Sequence, residues 1–293
     1  MLLSEFYKYV VKFGVMHDPR ENKSAIKSFP DSAILYGKPS TRIKNILIGV
    51  DIEVGEILLA ERIRSKQGLD LVISHHPEGQ AYAHFYEVMR LQVDILSRAG
   101  VKFNAARSYL DERMREVSRK VMPQNHMRPV DAARILDIPF MCMHTPADNH
   151  AYSFLKKLLS EKKPNKIVDL IGILNEIPEY KFAEKELNLG PRLILGNLKR
   201  PAGKIMLEMT GGTEGPKEIY GKLRDNGVRT LVCMHLSDEH LKKVKDANLN
   251  VVIAGHISSD NLGLNLLLDN IEKKAGEEFN TINCSGFRRF RRI

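Results

Sequence analysis

The sequence lacks tryptophan and is poor in cysteine, with Cys142, Cys233 and Cys284 lying far apart and no C-x-x-C pair. An odd number of widely separated cysteines indicates neither a disulfide framework nor a thiolate zinc site. We therefore interpret the three cysteines as small core residues.

Long hydrophobic runs are also missing. No stretch approaches the roughly 18 uncharged apolar residues of a membrane-spanning helix. The first residues, MLLSEFYKYVVK, carry charges where a secretory signal would have a continuous apolar segment. We therefore expect a cytoplasmic protein with no membrane partner. A hydrophobic share of 43% predicts a folded globular chain, and 293 residues allow two modest domains or one large one.

Positive charge is in excess, because 45 lysines and arginines against 36 acidic residues give +9. Such an excess favours nucleic acid or an anionic substrate as a partner without identifying either. The C-terminal tail, residues 287–292, alternates phenylalanine with arginine. Two interpretations are open: a solvated terminus whose phenylalanines contact the body, or a surface that binds phosphates and stacks on bases.

Residues 45–79 have the pattern of a strand, a helix and a second strand. The apolar run over 46–50 is typical of a strand buried on both faces, and helical spacing follows it. The second apolar run ends at His75 and His76. In a right-handed β-α-β unit the strands are parallel, so Asp51 and the two histidines reach the same carboxyl-terminal edge of the sheet.

The second half of the chain repeats this order. A strand over 204–209 is followed by the glycine-rich turn TGGTEG, a helix over 216–225 and a strand that ends at His235. The similar spacing suggests a degenerate duplication. Two interpretations of the turn are open: backbone N–H groups presented to an anion, or simple close packing.

Four predicted strands end in histidine, in the sequences LVISHH, PFMCMH, LVCMH and VVIAGH. Asp148 lies four residues after His144, and Asp260 lies four residues after His256. Imidazoles and carboxylates at one sheet edge form a mixed nitrogen and oxygen ligand set that suits zinc, manganese or iron. The pattern therefore predicts a metal site, although Asp260 would also suit the N-cap of the following helix.

Adjacent histidines carry further information, because neighbouring strand residues point to opposite faces. His75 and His76 therefore serve two neighbouring ions more easily than one. Asp51 either accepts a hydrogen bond from a ligand or caps the helix that follows it. His144 and His235 are candidates for substrate contact, and His144 is the candidate catalytic proton carrier.

The stretches GVDIEVGEILLAERIRSKQGLDLVISHHPEG, HTPAD, TGGTEG and VVIAGHISSDNLG, in that order, resemble the NIF-three-like family of dinuclear-metal proteins over most of residues 43–272. The resemblance implies a two-lobed α/β fold with mixed sheets flanked by helices. It also implies two divalent metal ions per subunit between the lobes, and a toroidal homohexamer built from trimers. Some members carry a GTP cyclohydrolase label, but no guanine-reading or triphosphate-binding motif is visible in this chain.

Carried over by position, the resemblance implies five metal ligands, which are His75, His76, Asp148, His256 and Asp260. The family has glutamate where this chain has Asp260, and the shorter side chain reaches one ion more easily than it bridges two. We expect a first lobe over residues 1–165, with a helical insertion at about 81–125, and a second lobe over 166–293.

Two functions remain open from the sequence. The first is a metal-dependent hydrolase that acts on a phosphorylated or nucleotide-like substrate. The alternative is a non-catalytic, ring-shaped scaffold or nucleic-acid-binding protein that the metal stabilises, supported by the +9 charge and the arginine-rich tail.

Overall fold

The computed structural model describes residues 1–292 and has two β-sheets flanked by helices. The nine strands within these residues are β1 Ser32–Tyr36, β2 Asn45–Gly49, β3 Leu71–Ser74, β4 Phe140–Met143, β5 Arg192–Leu195, β6 Lys204–Glu208, β7 Val228–Cys233, β8 Asn250–Ile253 and β9 Asn280–Asn283.

The α-helices are α1 Leu3–His17, α2 Val54–Gln67, α3 Gly79–Ala83, α4 Gln92–Ala99, α5 Phe103–Val121, α6 Arg128–Ile135, α7 Thr145–Lys162, α8 Ile167–Asn175, α9 Pro178–Leu187, α10 Tyr220–Asp225, α11 Asp238–Asp246 and α12 His256–Ala275. Two 3₁₀ helices cover Phe85–Leu91 and Lys217–Ile219. No helix in this part of the chain combines the length and apolar character needed to span a bilayer.

The two sheets share one arrangement. The first has the order β1-β4-β3-β2-β9, and the second has the order β5-β8-β7-β6. In each, three successive strands run parallel and the strand that precedes them forms an antiparallel edge. The common order agrees with the repetition expected from the sequence.

The last strand, β9, pairs in parallel with β2 and extends the first sheet. The chain therefore returns to the first sheet after passing through the second. The division into lobes of residues 1–165 and 166–293 stays a prediction about folding units.

The predicted β-α-β unit forms β2, α2 and β3. Ile46, Leu47 and Ile48 are fully buried, as a strand covered on both faces requires. α2 begins after Glu53, whose backbone N–H donates to the Glu56 carboxylate in a reciprocal cap. The unit thus places residues 50–53 and 75–78 at neighbouring strand ends.

The helical insertion expected at about 81–125 contains α3, α4 and α5. Leu96 of α4 and Leu110 of α5 are buried in the same apolar cluster as Leu231 and Val232 of β7. These helices therefore contribute to the core of the second sheet, although they follow a strand of the first.

Helices α7 and α12 pack closely against each other. A methyl group at Gly263 of α12 would overlap the backbone of Ala147 in the first turn of α7. This close approach brings the N-terminal parts of the two helices side by side, which is where Asp148 and Asp260 lie.

The arginine-rich tail packs on the body of the protein. Arg289 forms ion pairs with Asp269 at 2.6 Å and with Glu272 at 2.7 Å, and Arg292 pairs with Glu179. Phe287 is only 2% exposed. Arg291 also lies 3.5 Å from Glu272, so three of the four tail arginines are paired with carboxylates. These contacts support the interpretation of the tail as a terminus bound to the body.

Candidate metal centre

The four histidine-ended strands form as predicted, as β3, β4, β7 and β8. They do not share one sheet edge, however, because the first two belong to one sheet and the last two to the other. The expectation of a single edge was wrong, since the sequence does not reveal which strands pair. The histidines instead converge between the sheets, where the rings of His76 and His256 lie 5.2 Å apart.

The two predicted carboxylates lie on helices that follow these strands. Asp148 is in the first turn of α7, one turn after His144 at its N-cap. Asp260 is in the second turn of α12, which begins at His256. Spacing of four residues puts each histidine and its aspartate on one helix face. Because Gly255 occupies the N-cap of α12, the alternative of Asp260 as a cap was wrong.

All five predicted ligands come together. His75 Nε2 lies 3.4 Å from Oδ1 of Asp148 and 3.4 Å from Oδ1 of Asp260. The second oxygen of Asp260 lies 3.6 Å from His76 Nε2 and 3.7 Å from His256 Nε2. The Asp260 carboxylate thus faces ligand atoms on both sides.

Three overlapping groups have ligand atoms within 4.8 Å of one another, and they are His75 with Asp148 and Asp260, His76 with His256 and Asp260, and His75 with His76 and His144. Each group has the three donors that a catalytic zinc site uses. The third group includes His144, which the sequence suggested as a substrate contact or proton carrier and not as a ligand. This His/Asp cluster could hold metal.

Several donor atoms of the cluster are buried and unpartnered. Among residues 1–292, no hydrogen-bond partner satisfies either ring nitrogen of His75, Oδ1 of Asp148 or either carboxylate oxygen of Asp260. Buried polar atoms are nearly always hydrogen-bonded, and leaving them unpaired is costly. Coordination of a divalent cation would satisfy these nitrogen and oxygen atoms together, so the donor set fits a metal.

The close approach of imidazoles and carboxylates shifts the pKa values of His75 and Asp260. Burial disfavours the charged imidazole of His75, but Asp260 and Asp148 outweigh it and raise the pKa of His75 to about 10. Burial also opposes ionisation of Asp260, yet His75 holds the pKa of that carboxyl well below its usual range. The two aspartates therefore favour the charged form of His75, and a metal ion that bound to this imidazole would have to displace its proton.

Two further carboxylates orient histidines of the cluster. His76 Nδ1 lies 2.6 Å from Oδ1 of Asp51, and His144 Nδ1 lies 2.8 Å from Oδ2 of Asp31. Such contacts fix the ring orientation of metal-binding histidines. Asp51 therefore acts as a hydrogen-bond partner of His76, a candidate ligand, while Glu53 takes the helix cap. Sequence reasoning missed Asp31, because it lies in a polar segment that resembled a connector.

The second sheet contributes a histidine held by glutamate. His235 Nδ1 lies 3.8 Å from Glu214, and its ring centre lies 5.0 Å from that of His256. Contact with Glu214 raises the pKa of His235, against the opposing effect of burial. Glu214 belongs to the TGGTEG turn, and its role was missed because only the turn glycines carried a recognisable signal.

The TGGTEG turn itself packs closely against α4. The side-chain amide of Gln92 donates to the backbone oxygens of Gly211 and Thr213, each at 2.8 Å. Gly211 has φ +103°, and a methyl group there would lie 2.7 Å from Gln92. These contacts favour the close-packing interpretation of the turn.

A pocket of about 450 Å³ opens over the cluster, and it is lined by residues that include Asp51, His76, Tyr82, Phe85, His126, Arg128, His144, His235 and His256. One wall comes from the helical insertion, where the Tyr82 and Phe85 rings stack at 5.3 Å. The Tyr82 ring also lies 4.7 Å from that of His126. The insertion is therefore a wall of the pocket that contains the histidines.

The architecture and the cluster define a two-sheet α/β protein with a His/Asp group that could bind metal between its sheets. No protein-family model matches the chain, and no curated protein matches its sequence. Solved structures do match. A NIF3 superfamily protein from Sphaerobacter thermophilus has a TM-score of 0.79 and 25% identity, covering 95% of this chain and 96% of that one.

Reduced HcgD from Methanocaldococcus jannaschii and the ybgI protein of unknown function each have a TM-score of 0.57 and 15% identity. Each match covers 97% of this chain, with 97% of HcgD and 98% of ybgI covered, and shows the shared fold. The structure is NIF3-like, and the match to the Sphaerobacter thermophilus protein confirms the resemblance to the NIF-three-like family that the sequence motifs indicated.

Proposed function

We propose that the protein is a dinuclear metal-dependent hydrolase that acts on a phosphorylated or nucleotide-like substrate. The observation that carries the proposal is the set of buried, unpartnered donor atoms on His75, Asp148 and Asp260 beside a 450 Å³ pocket. A buried ligand set next to an open pocket is the arrangement of a reactive centre more than of a structural one.

Two overlapping ligand groups would hold the two ions. His75, Asp148 and Asp260 would hold one, and His76, His256 and Asp260 would hold the other. Zinc, manganese and iron suit this mixture of imidazole and carboxylate. When bound, such ions supply Lewis acidity to a phosphoryl oxygen and to an attacking water. Asp260 belongs to both groups and would therefore help to hold both ions despite its short side chain.

A side chain of the protein would transfer the proton in the reaction. Asp31 accepts from His144 Nδ1, which leaves Nε2 of His144 3.6 Å from Asp148 and at the edge of the pocket. We assign His144 as the proton carrier, with Asp31 fixing its tautomer and orientation. His235 also lines the pocket and contacts substrate there.

The pocket has features that suit a nucleotide-like substrate. The aromatic row of Phe85, Tyr82 and His126 offers a surface for a planar ring. Arg128 adds a cation at the same wall. A phosphoryl group at the ligand cluster and a ring against this row would occupy both parts of the pocket.

The alternative of a nucleic-acid-binding scaffold keeps the +9 charge but loses part of its support from the tail. Arg289 and Arg292 of the tail are paired with carboxylates and are not available to phosphates. The toroidal homohexamer and the cytoplasmic location stay predictions that rest on the resemblance and on the sequence.

Activity screening tests the proposal. The protein is loaded with zinc, manganese or iron and assayed against phosphate monoesters and diesters. We expect metal-dependent turnover that His144→Gln lowers by about 100-fold, while His84→Gln, an exposed histidine outside the pocket, leaves it unchanged. Absence of turnover with every metal, in protein shown to bind it, would refute the hydrolase and leave a metal-binding protein.

A further inference from the structure

A second cleft lies away from the metal centre, between α4, α7 and β6. Its volume is about 660 Å³, which falls within the range of small-molecule sites. It shares no lining residue with the pocket over the metal centre. We call it the basic cleft, defined by Arg98, Tyr152, Lys156 and Lys204 together with an apolar floor.

The basic cleft concentrates positive charge. Arg98, Lys156, Lys163 and Lys204 all line it. Within the part of the chain that the structure describes, no aspartate or glutamate lines it with them. Like charges held together without a counter-charge repel one another, and an anion between them relieves the repulsion. This arrangement points to an anionic ligand.

Hydrogen bonds hold the ammonium group of Lys204 in place, and a second cation lies over an aromatic ring. The Lys204 ammonium donates to the backbone oxygen of Ala99 at 2.7 Å and to that of Asn226 at 3.3 Å. Lys156 Nζ lies 5.9 Å from the centre of the Tyr152 ring. Preorganised cations lose less entropy when they bind a ligand than free surface lysines do.

Tyr152 adds a buried polar group to the cleft. Its side chain is only 6% exposed, and burial raises the pKa of its hydroxyl against the opposing charge of Arg98. Burial and the charge of Arg98 also lower the pKa of Lys156. Arg98, Tyr152 and Lys156 thus act on one another at one place in the cleft.

The floor beneath these groups is apolar, and Ile95, Leu159 and Leu207 contribute to it.

We propose that the basic cleft binds a phosphorylated small molecule with an apolar or aromatic body. Arg98, Lys156 and Lys204 bind the phosphate, Tyr152 donates a hydrogen bond to it, and the floor takes the body of the ligand. Several cations together bind a doubly charged phosphate more favourably than they bind a singly charged carboxylate.

Calorimetric titration of the full chain tests the proposal. The protein is first stripped of metal by a chelator, so that the metal centre does not bind phosphate. The probes are phenyl phosphate, which has an aromatic body, and inorganic phosphate. We expect phenyl phosphate to bind more tightly than inorganic phosphate. Arg98→Gln and Lys156→Gln should each lower the affinity for phenyl phosphate by about tenfold. Lys273→Gln, an exposed lysine on α12, is the matched control and leaves binding unchanged.

Three results would overturn the proposal. Phenyl phosphate could fail to bind at millimolar concentration, or the control variant could lose as much affinity as the cleft variants. Equal affinities for the two probes would remove the role of the apolar floor. Thermal melting of each variant establishes that it is folded, and because Arg98 and Lys156 lie on different helices, one variant tests the cleft if the other does not fold.

Discussion

Nδ1 of His76 lies 2.6 Å from Oδ1 of Asp51, and the two residues follow the neighbouring parallel strands β3 and β2. The contact directs Nε2 of His76 toward Asp260, 3.6 Å away. A β-α-β unit thus supplies both a candidate ligand and the group that orients it.

Asp51→Asn should weaken metal binding by about 10- to 100-fold, because the loss of a carboxylate partner frees the ring orientation of a histidine ligand. Chelator competition with zinc measures the change. Asp111→Asn is the control, since Asp111 lies on α5 at an exposed position. An Asp51→Asn affinity equal to that of the control would show that the contact does not support metal binding.

Gly263→Ala should destabilise the protein by about 1–3 kcal/mol, because the new methyl group forces α12 away from the backbone of Ala147. The same displacement separates Asp148 from Asp260, so metal affinity should fall as well. Gly172→Ala is a matched control on α8, where nothing lies within 4 Å of the added methyl group. There the change should be neutral or stabilising. Urea denaturation and chelator competition, run on both variants, decide between these outcomes.

The metal-free protein should lose stability as pH rises from about 6.5 to 10. The folded-state pKa of His75, about 10, exceeds its ordinary value of 6.5, so the charged imidazole stabilises the fold fully below 6.5. That contribution disappears as pH rises through the folded pKa. His75→Gln should flatten the dependence in this window, whereas His84→Gln should not. The free energy of unfolding is measured at several pH values. If it fell with pH as steeply in His75→Gln as in the wild type, the assignment would be contradicted.

Arg289→Ala should lower the free energy of unfolding by about 3–5 kcal/mol, because it leaves Glu272, whose side chain is 1% exposed, without its closest cation. Arg119→Ala, on the exposed face of α5, serves as the control and should change little. Urea denaturation measures both. If the two variants had equal stability, the tail would not be part of the folded body.

The sequence predicted the strands whose apolar runs are continuous, since burial on both faces leaves an unmistakable pattern. β2, β3 and the histidines after β3 were therefore found, and the family motifs pointed to the remaining candidate ligands. β9 was missed because Asn280–Asn283 is mostly polar and binds only through an edge of the first sheet. The division of the strands between two sheets was also not predicted, because the local sequence pattern does not specify which strands pair.

The groups behind the candidate ligands were harder to predict. Glu214 faces His235 within the second β-α-β unit, at the ends of the parallel strands β6 and β7, but only the turn glycines beside it carried a recognisable signal. Asp31 contacts His144 from a distant part of the sequence, and no local motif marks it. Long-range contacts of this kind depend on how the chain segments pack together, which only the structure reveals. Asp51 was found because a β-α-β unit ties it to His76 through local geometry.

Elemental analysis of protein purified without added metal tests the central claim most directly. The wild-type protein and the His75→Ala/His76→Ala variant are compared after both are shown to be folded. A dinuclear centre predicts near two divalent ions per chain in the wild type and loss of both in the variant, because each ligand group contains one of these histidines. Absence of metal in both proteins, or equal metal in both, would contradict the account.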